Sequence, residues 1–166
     1  MGTTDSIKKK IPLNCGIVHS PVRGVHPNIY EGIKSFVKYI GADDEESSEK
    51  AETHLKSLGL NARVLSGSKE SEMGKLLDTT YYGLVIAWHG EMNKLCKEYK
   101  VNFDEAVTEF NKTYNEGYTK LGKHNVVRPV LYPPNPKIGG HCVINNAKIL
   151  KKFWKSKAIE LIMDYE

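Results

Sequence analysis

A chain of 166 residues, 40% apolar and 27% charged, has the size and composition of an ordinary folded domain able to bury a core. Its 24 basic and 20 acidic residues leave a formal charge of +4 spread over the whole length, which gives nucleic acid no focused patch, and Lys8-Lys9-Lys10 reads as a solvated helix end. No stretch approaches the roughly 20 apolar residues of a membrane span and residues 1–6 carry no apolar signal region, so the expected compartment is the cytoplasm.

In chain order, residues 4 to 11 read as the end of a helix, and Gly16-Ile17-Val18-His19 as an apolar strand stopping at Ser20-Pro21. A polar loop follows, then a second strand over Phe36-Val37-Lys38-Tyr39-Ile40-Gly41. The acidic run Asp43-Asp44-Glu45-Glu46 opens a helix reaching about Leu58, where negative charge suits the helix N-terminus. Asn61-Ala62-Arg63-Val64-Leu65 makes a third strand. Strands separated by helices imply a small parallel or mixed sheet.

The second half is helical. From Ser68 to about Tyr99 the residues Met73, Leu76, Leu77, Tyr81, Leu84, Val85, Trp88, Met92, Leu95, Cys96 and Tyr99 recur at spacings of three and four. Such a helix is about 45 Å long, more than a small chain covers by itself. Gly74, Gly83 and Gly90 within it are either tolerated in packing or mark close approach by another group. Asn102 with Glu105 resembles a capping box, opening a helix with core face Phe103, Ala106, Val107, Phe110 and Tyr114 and a stop at Gly117. After a proline-rich passage, a last amphipathic helix is expected from near Asn146, with Ile149, Leu150, Phe153, Trp154, Ile159 and Ile162 on its apolar side.

Cys15, Cys96 and Cys142 are an odd number without Cys-x-x-Cys spacing, which argues against a disulfide framework and against zinc. Gly139-Gly140-His141-Cys142 sits where the proline-rich loop meets a helix start. Two readings fit the tetrapeptide: a structural cysteine after a glycine turn, or a thiol held against backbone N–H groups and so made nucleophilic. His19, His26, His89, His124 and His141 show no paired metal-ligand spacing, so no metal site is expected.

Ordered motifs extend the signal. Pro133-Pro134-Asn135-Pro136-Lys137-Ile138-Gly139-Gly140-His141-Cys142 resembles the loop ending in Gly-Gly-His-Cys of the UDP-glucose, UDP-N-acetylmannosamine and GDP-mannose dehydrogenases, the nucleotide-sugar 6-dehydrogenases. Glu72-Met73-Gly74-Lys75-Leu76-Leu77-Asp78-Thr79-Thr80-Tyr81 with Ile86-Ala87-Trp88-His89-Gly90-Glu91-Met92 is similar to the family's central helix. His19-Ser20-Pro21-Val22-Arg23 and Lys38-Tyr39-Ile40-Gly41 resemble its Ser-Pro-Glu-Arg turn and following strand, and Gly2-Thr3-Thr4 a helix start late in its NAD domain.

The resemblance implies a partial Rossmann-like α/β segment over 1–67, a three-strand remnant, and a helical central dimerisation domain over 68–166. It implies oxidation of a sugar C6 alcohol to a carboxylate with NAD. Cys142 is the implied nucleophile and Lys75 the oxyanion stabiliser. Thr79 and Asn146 stand at further catalytic positions, and Gly139, Gly140, His141 and Arg128 at substrate-binding ones. The sequence departs from the pattern at Val22, where the family has a glutamate, and at Asn146, where it has an acid/base aspartate, neither able to exchange a proton. No GxGxxG follows a strand, so this chain alone is expected to bind no NAD and not to turn over. It reads as a fragment, a subunit completed by a partner chain that binds NAD, or a non-catalytic dimerising relative. A homodimer through the long helix is expected, with Trp88 and Tyr81 as anchors.

Overall fold

In the computed structural model, which describes residues 2–24 and 27–166, the chain forms two compact units, Met1–Leu77 and Asp78–Glu166. The division falls inside the long helix.

The first unit is a three-stranded mixed sheet with helices. β1 (Val18–His19) pairs antiparallel with β2 (Lys38–Ala42), Val18 opposite Ala42, and β2 pairs parallel with β3 (Ala62–Val64), Ile40 opposite Val64. α1 (Thr3–Lys8) precedes the sheet, α2 (Ile29–Ser35) joins β1 to β2, and α3 (Glu45–Ser57) joins β2 to β3. The β2–α3–β3 crossover is why that pair runs parallel. α2 corrects the expected polar loop; it buries no residue fully, so it leaves no strong periodic trace.

The acidic run caps two helices rather than one. Asp44 Oδ1 accepts the Ser47 N–H (2.7 Å) at the start of α3, while Asp43 Oδ1 accepts the Ser68 hydroxyl (2.7 Å) and N–H (3.2 Å) at the start of α4 (Ser68–Glu98). Ile40 and Ala42 are buried in this unit.

The second unit is helical. It contains the rest of α4, a π-helical turn (Asp104–Glu109) running into α5 (Phe110–Lys120), a short 3-10 turn (His124–Val126), α6 (Cys142–Lys151) and α7 (Lys157–Met163). Its core gathers Ala87, Cys96, Ile138, Val143, Ile144, Ala147, Leu150, Ile159, Ile162 and Tyr165. The three-strand sheet and the long helix are thus as the sequence implied.

Three expectations need correction here. Gly117 does not stop α5; the helix runs on to Lys120 and ends at Gly122, whose φ of 68° is the left-handed conformation a helix stop uses. Phe110, placed on the core face, is 71% exposed. The last helix starts at Cys142, four residues before Asn146, and is broken in two. The Ser156 hydroxyl accepts the Ala158 N–H (3.3 Å) and starts α7 afresh, and Phe153 and Trp154 in the break are exposed.

The glycines of α4 divide by their surroundings. A Cβ on Gly83 would lie under 3.0 Å from Val143 Cγ1, and one on Gly90 under 3.0 Å from the Tyr165 ring, so these two positions admit close neighbours. A Cβ on Gly74 would meet nothing within 4 Å.

Candidate functional site

In the second unit, the segment from Ile138 to Asn146 carries most of the expected site. Gly140 takes φ 74°, a left-handed turn that a Cβ would strain, and delivers the chain into α6. His141 is the N-cap residue and Cys142 the first residue of the helix. Cys142 is an exposed free thiol, while the next two side chains, Val143 and Ile144, are buried. The sulfur therefore sits at the water-facing edge of a seated helix start, where backbone N–H groups lack intrahelical partners. Asn146, four residues on, shares its helix face and is half-buried. Gly139 and Gly140 are exposed, and a Cβ at either would touch nothing within 4 Å.

Arg128 is held by α5. Its backbone N–H donates to Asn115 Oδ1 (2.7 Å), its carbonyl accepts from Asn115 Nδ2 (2.8 Å), and its guanidinium lies 3.5 Å from the centre of the Tyr114 ring. This two-point pin and cation–π contact fix the exposed arginine on one aromatic face. Sequence reasoning missed Asn115, because an asparagine on an exposed helix face carries no signal for a backbone partner 13 residues away. Thr79, on α4, is half-buried.

In the first unit, Lys75 Nζ donates to the Val22 carbonyl (3.0 Å). Lys38, also unforeseen, donates to the neighbouring carbonyls of Ser20 (2.9 Å) and Pro21 (3.1 Å). Burial and the nearby Lys75 ammonium push the Lys38 amine below its usual range. The turn from Ser20 to Val22 thus presents three carbonyl oxygens to two lysines, and at Val22 the main-chain carbonyl is the acceptor. His19 Nδ1 lies 2.7 Å from Ser71 Oγ, and burial lowers that imidazole's pKa. Glu72 accepts the N–H of Gly2 (2.6 Å) and both the N–H and hydroxyl of Thr4 (2.7 Å each). Burial works against its charge, yet these donors hold it below the ordinary carboxylate range.

Among the described residues no three His, Cys, Asp or Glu side chains gather as a metal-binding group; His26 lies outside the described residues. No described helix is long and apolar enough to cross a membrane.

Relatives give this arrangement a context. No protein-family model matches the chain. It is 31% identical over 144 residues to the UDP-N-acetyl-D-mannosamine dehydrogenase of Methanocaldococcus jannaschii, an alignment covering 86% of this chain and 31% of that enzyme. It is 28% identical over 159 residues to the enzyme of the same name from Methanococcus maripaludis, covering 90% of this chain and 34% of the relative. Among solved structures, the UDP-D-ManNAc dehydrogenase of Pyrococcus horikoshii superposes with a TM-score of 0.79 at 20% identity, covering 99% of this chain and 38% of that one. An α/β segment followed by a long helix and a glycine-rich cysteine loop is the central segment of a nucleotide-sugar dehydrogenase. The chain belongs to that family, and spans about a third of the length of the curated relatives it matches.

NAD, which the family implies, can be tested against the strand-to-helix turns of the first unit. A pyrophosphate seats on a glycine-rich turn with open N–H groups at a helix start. The start of α3 is capped by Asp44 and carries Glu45 and Glu46 in its first turn, and the start of α4 is capped by Asp43. Both present carboxylates where a pyrophosphate would lie, so the residues of these turns do not fit the cofactor.

Proposed function

We propose that this chain is the catalytic-cysteine-bearing central part of an NAD-dependent nucleotide-sugar 6-dehydrogenase, acting on the C6 of a UDP-linked N-acetylhexosamine such as the one its relatives' names carry. The observation that carries the reading is Cys142, an exposed thiol that opens α6 directly after a left-handed glycine, in a segment aligned with those enzymes. In this reaction the exposed Cys142 thiol gives its proton to solvent water and Sγ forms a bond to the aldehyde carbon of the half-oxidised sugar. The carbonyl π pair moves to oxygen, and Lys75 has the role of stabilising that developing charge. Thr79 supplies a hydroxyl, and Gly139, Gly140, His141 and Arg128 contact the substrate. The thiohemiacetal becomes a thioester only by losing its C–H hydride to an acceptor held outside these residues. Because Val22 and Asn146 offer no proton-exchanging group, the following hydrolysis by water is the step most weakened. The hydride acceptor is supplied by sequence outside these residues or by a partner chain, and the chain alone is inactive.

A second reading, a non-catalytic dimerising module, is favoured by one feature of α4. Tyr81, Trp88 and Leu95 repeat at intervals of seven and are 65%, 55% and 58% exposed, an apolar stripe of the kind two copies of a helix cover. A homodimer through this helix is compatible with either reading, located in the cytoplasm.

Timed alkylation with mass-spectrometric readout tests the catalytic reading. Cys142 should react faster than Cys15, which is also exposed, and Cys96 should stay protected in the core. A Cys142 rate at or below that of Cys15 would leave only the structural role.

A further inference from the structure

The glycine pair before Cys142 is exposed, with open space where a Cβ would lie, and the segment that carries the thiol is held at both of its ends. One end is Val143, seated where Gly83 leaves room on α4. The other is Ile138, a buried residue whose N–H donates to the carbonyl of Tyr165 (2.9 Å).

Tyr165 is in turn held at three points by α4. Its ring fills the notch at Gly90, where a Cβ would come under 3.0 Å from Cζ and Oη. Its hydroxyl donates to Glu91 Oε1 (2.6 Å), and the Lys94 ammonium lies 4.5 Å from the ring centre while pairing with the same Glu91 oxygen (2.6 Å). A notch, an acceptor and a cation thus receive one aromatic side chain. The tyrosine so fixed is only 6% exposed, and its own carbonyl anchors the cysteine loop.

We infer that Tyr165 is the positioning residue for the Cys142 loop, transmitting its seat on Gly90 and Glu91 through the Ile138 hydrogen bond to the start of α6. The inference rests on the reading of Cys142 as a nucleophile. Burial alone would accept phenylalanine; the hydroxyl is needed because it sets the depth of the ring against Glu91. A ring free to slide carries its carbonyl, Ile138 and the glycine pair with it.

The test uses the whole chain and the ratio of Cys142 to Cys15 alkylation rates, with the Gly139 and Gly140 amide resonances as a spectroscopic signature of the loop. The wild-type ratio comes first: a value at or below one overturns the nucleophile reading itself, and this inference with it. With a fast wild-type Cys142, Tyr165→Phe should lower the ratio about threefold, the scale of one lost hydrogen bond, and shift both glycine resonances while Cys96 stays protected. Gly90→Ala, which expels the ring, should reproduce both changes. Glu91→Gln keeps an acceptor without the charge and should restore most of the wild-type behaviour. Gly117→Ala, at an open helix position, should leave both readouts alone. Should Gly90→Ala expose Cys96, Tyr165→Phe and Glu91→Gln decide, since both keep an aromatic ring and leave the Gly90 notch open to it. A wild-type ratio and unshifted glycine resonances in Tyr165→Phe would overturn the inference while leaving the reading of Cys142 intact.

Discussion

Gly83 and Val143 are fitted to one another: the missing side chain of the first is the space that the second occupies, and a Cβ on Gly83 would come under 3.0 Å from Val143 Cγ1. Since Val143 follows Cys142 directly, the seat of the helix that begins with the thiol is cut into α4.

Substituting α4 glycines should therefore give opposite signs. Gly83→Ala should destabilise the protein by about 1–3 kcal/mol through overpacking. Gly74→Ala, where nothing lies within 4 Å, should stabilise it by about 0.5–1 kcal/mol through helix propensity. Adding Val143→Ala to Gly83→Ala should recover part of the loss. Denaturant melts of the three variants check this, and equal effects at both glycines would contradict the packing described.

Glu72 ties α1 to α4 and should matter in a pH-dependent way. Glu72→Ala should cost about 2–4 kcal/mol, because the buried donors of Thr4 lose their acceptor. The folded carboxyl titrates below its unfolded value, so its contribution is present above the unfolded pKa and disappears as pH falls through the folded one. The gap in stability between wild type and Glu72→Gln should thus be constant near neutrality and close as pH drops below about 4. Melts at a series of pH values measure it.

The exposed stripe on α4 should assemble. Sedimentation at micromolar concentration should show a dimer, and Trp88→Glu should weaken it by about 2 kcal/mol or more, a charge being placed in a desolvated seam. A wild-type monomer with a cooperative melting transition would remove the dimer.

NAD should give no saturable heat in titration calorimetry at millimolar concentration, since the starts of α3 and α4 are capped by this chain's own carboxylates. Saturable binding would mean that a cradle exists elsewhere.

What the sequence disclosed follows the physics of each element. α4 was legible almost to its last residue because its apolar positions keep helical spacing over its whole length. The α3 start was legible because Asp44 is a side-chain cap, a local signal. α2 was not, since its N-cap residue Asn28 makes no side-chain cap and nothing in it is buried. The break between α6 and α7 was hidden because Phe153 and Trp154 continue an apolar rhythm while lying in the turn. At the candidate site, Cys142 announced itself through the glycines beside it. Tyr165 could not, because its bond to Glu91 spans 74 residues and no local pattern encodes it.

Reversible masking of the thiol shows whether Cys142 is the nucleophile that adds to a sugar aldehyde. The chain would be incubated with the 6-aldehyde of the nucleotide sugar proposed above, then pulsed with alkylating reagent before and after dilution. Cys142 should be shielded in the presence of the aldehyde and return on dilution, while Cys15 labels at its usual rate throughout. Labelling of Cys142 unchanged by the aldehyde, or shielding of Cys15 to the same degree, would contradict it.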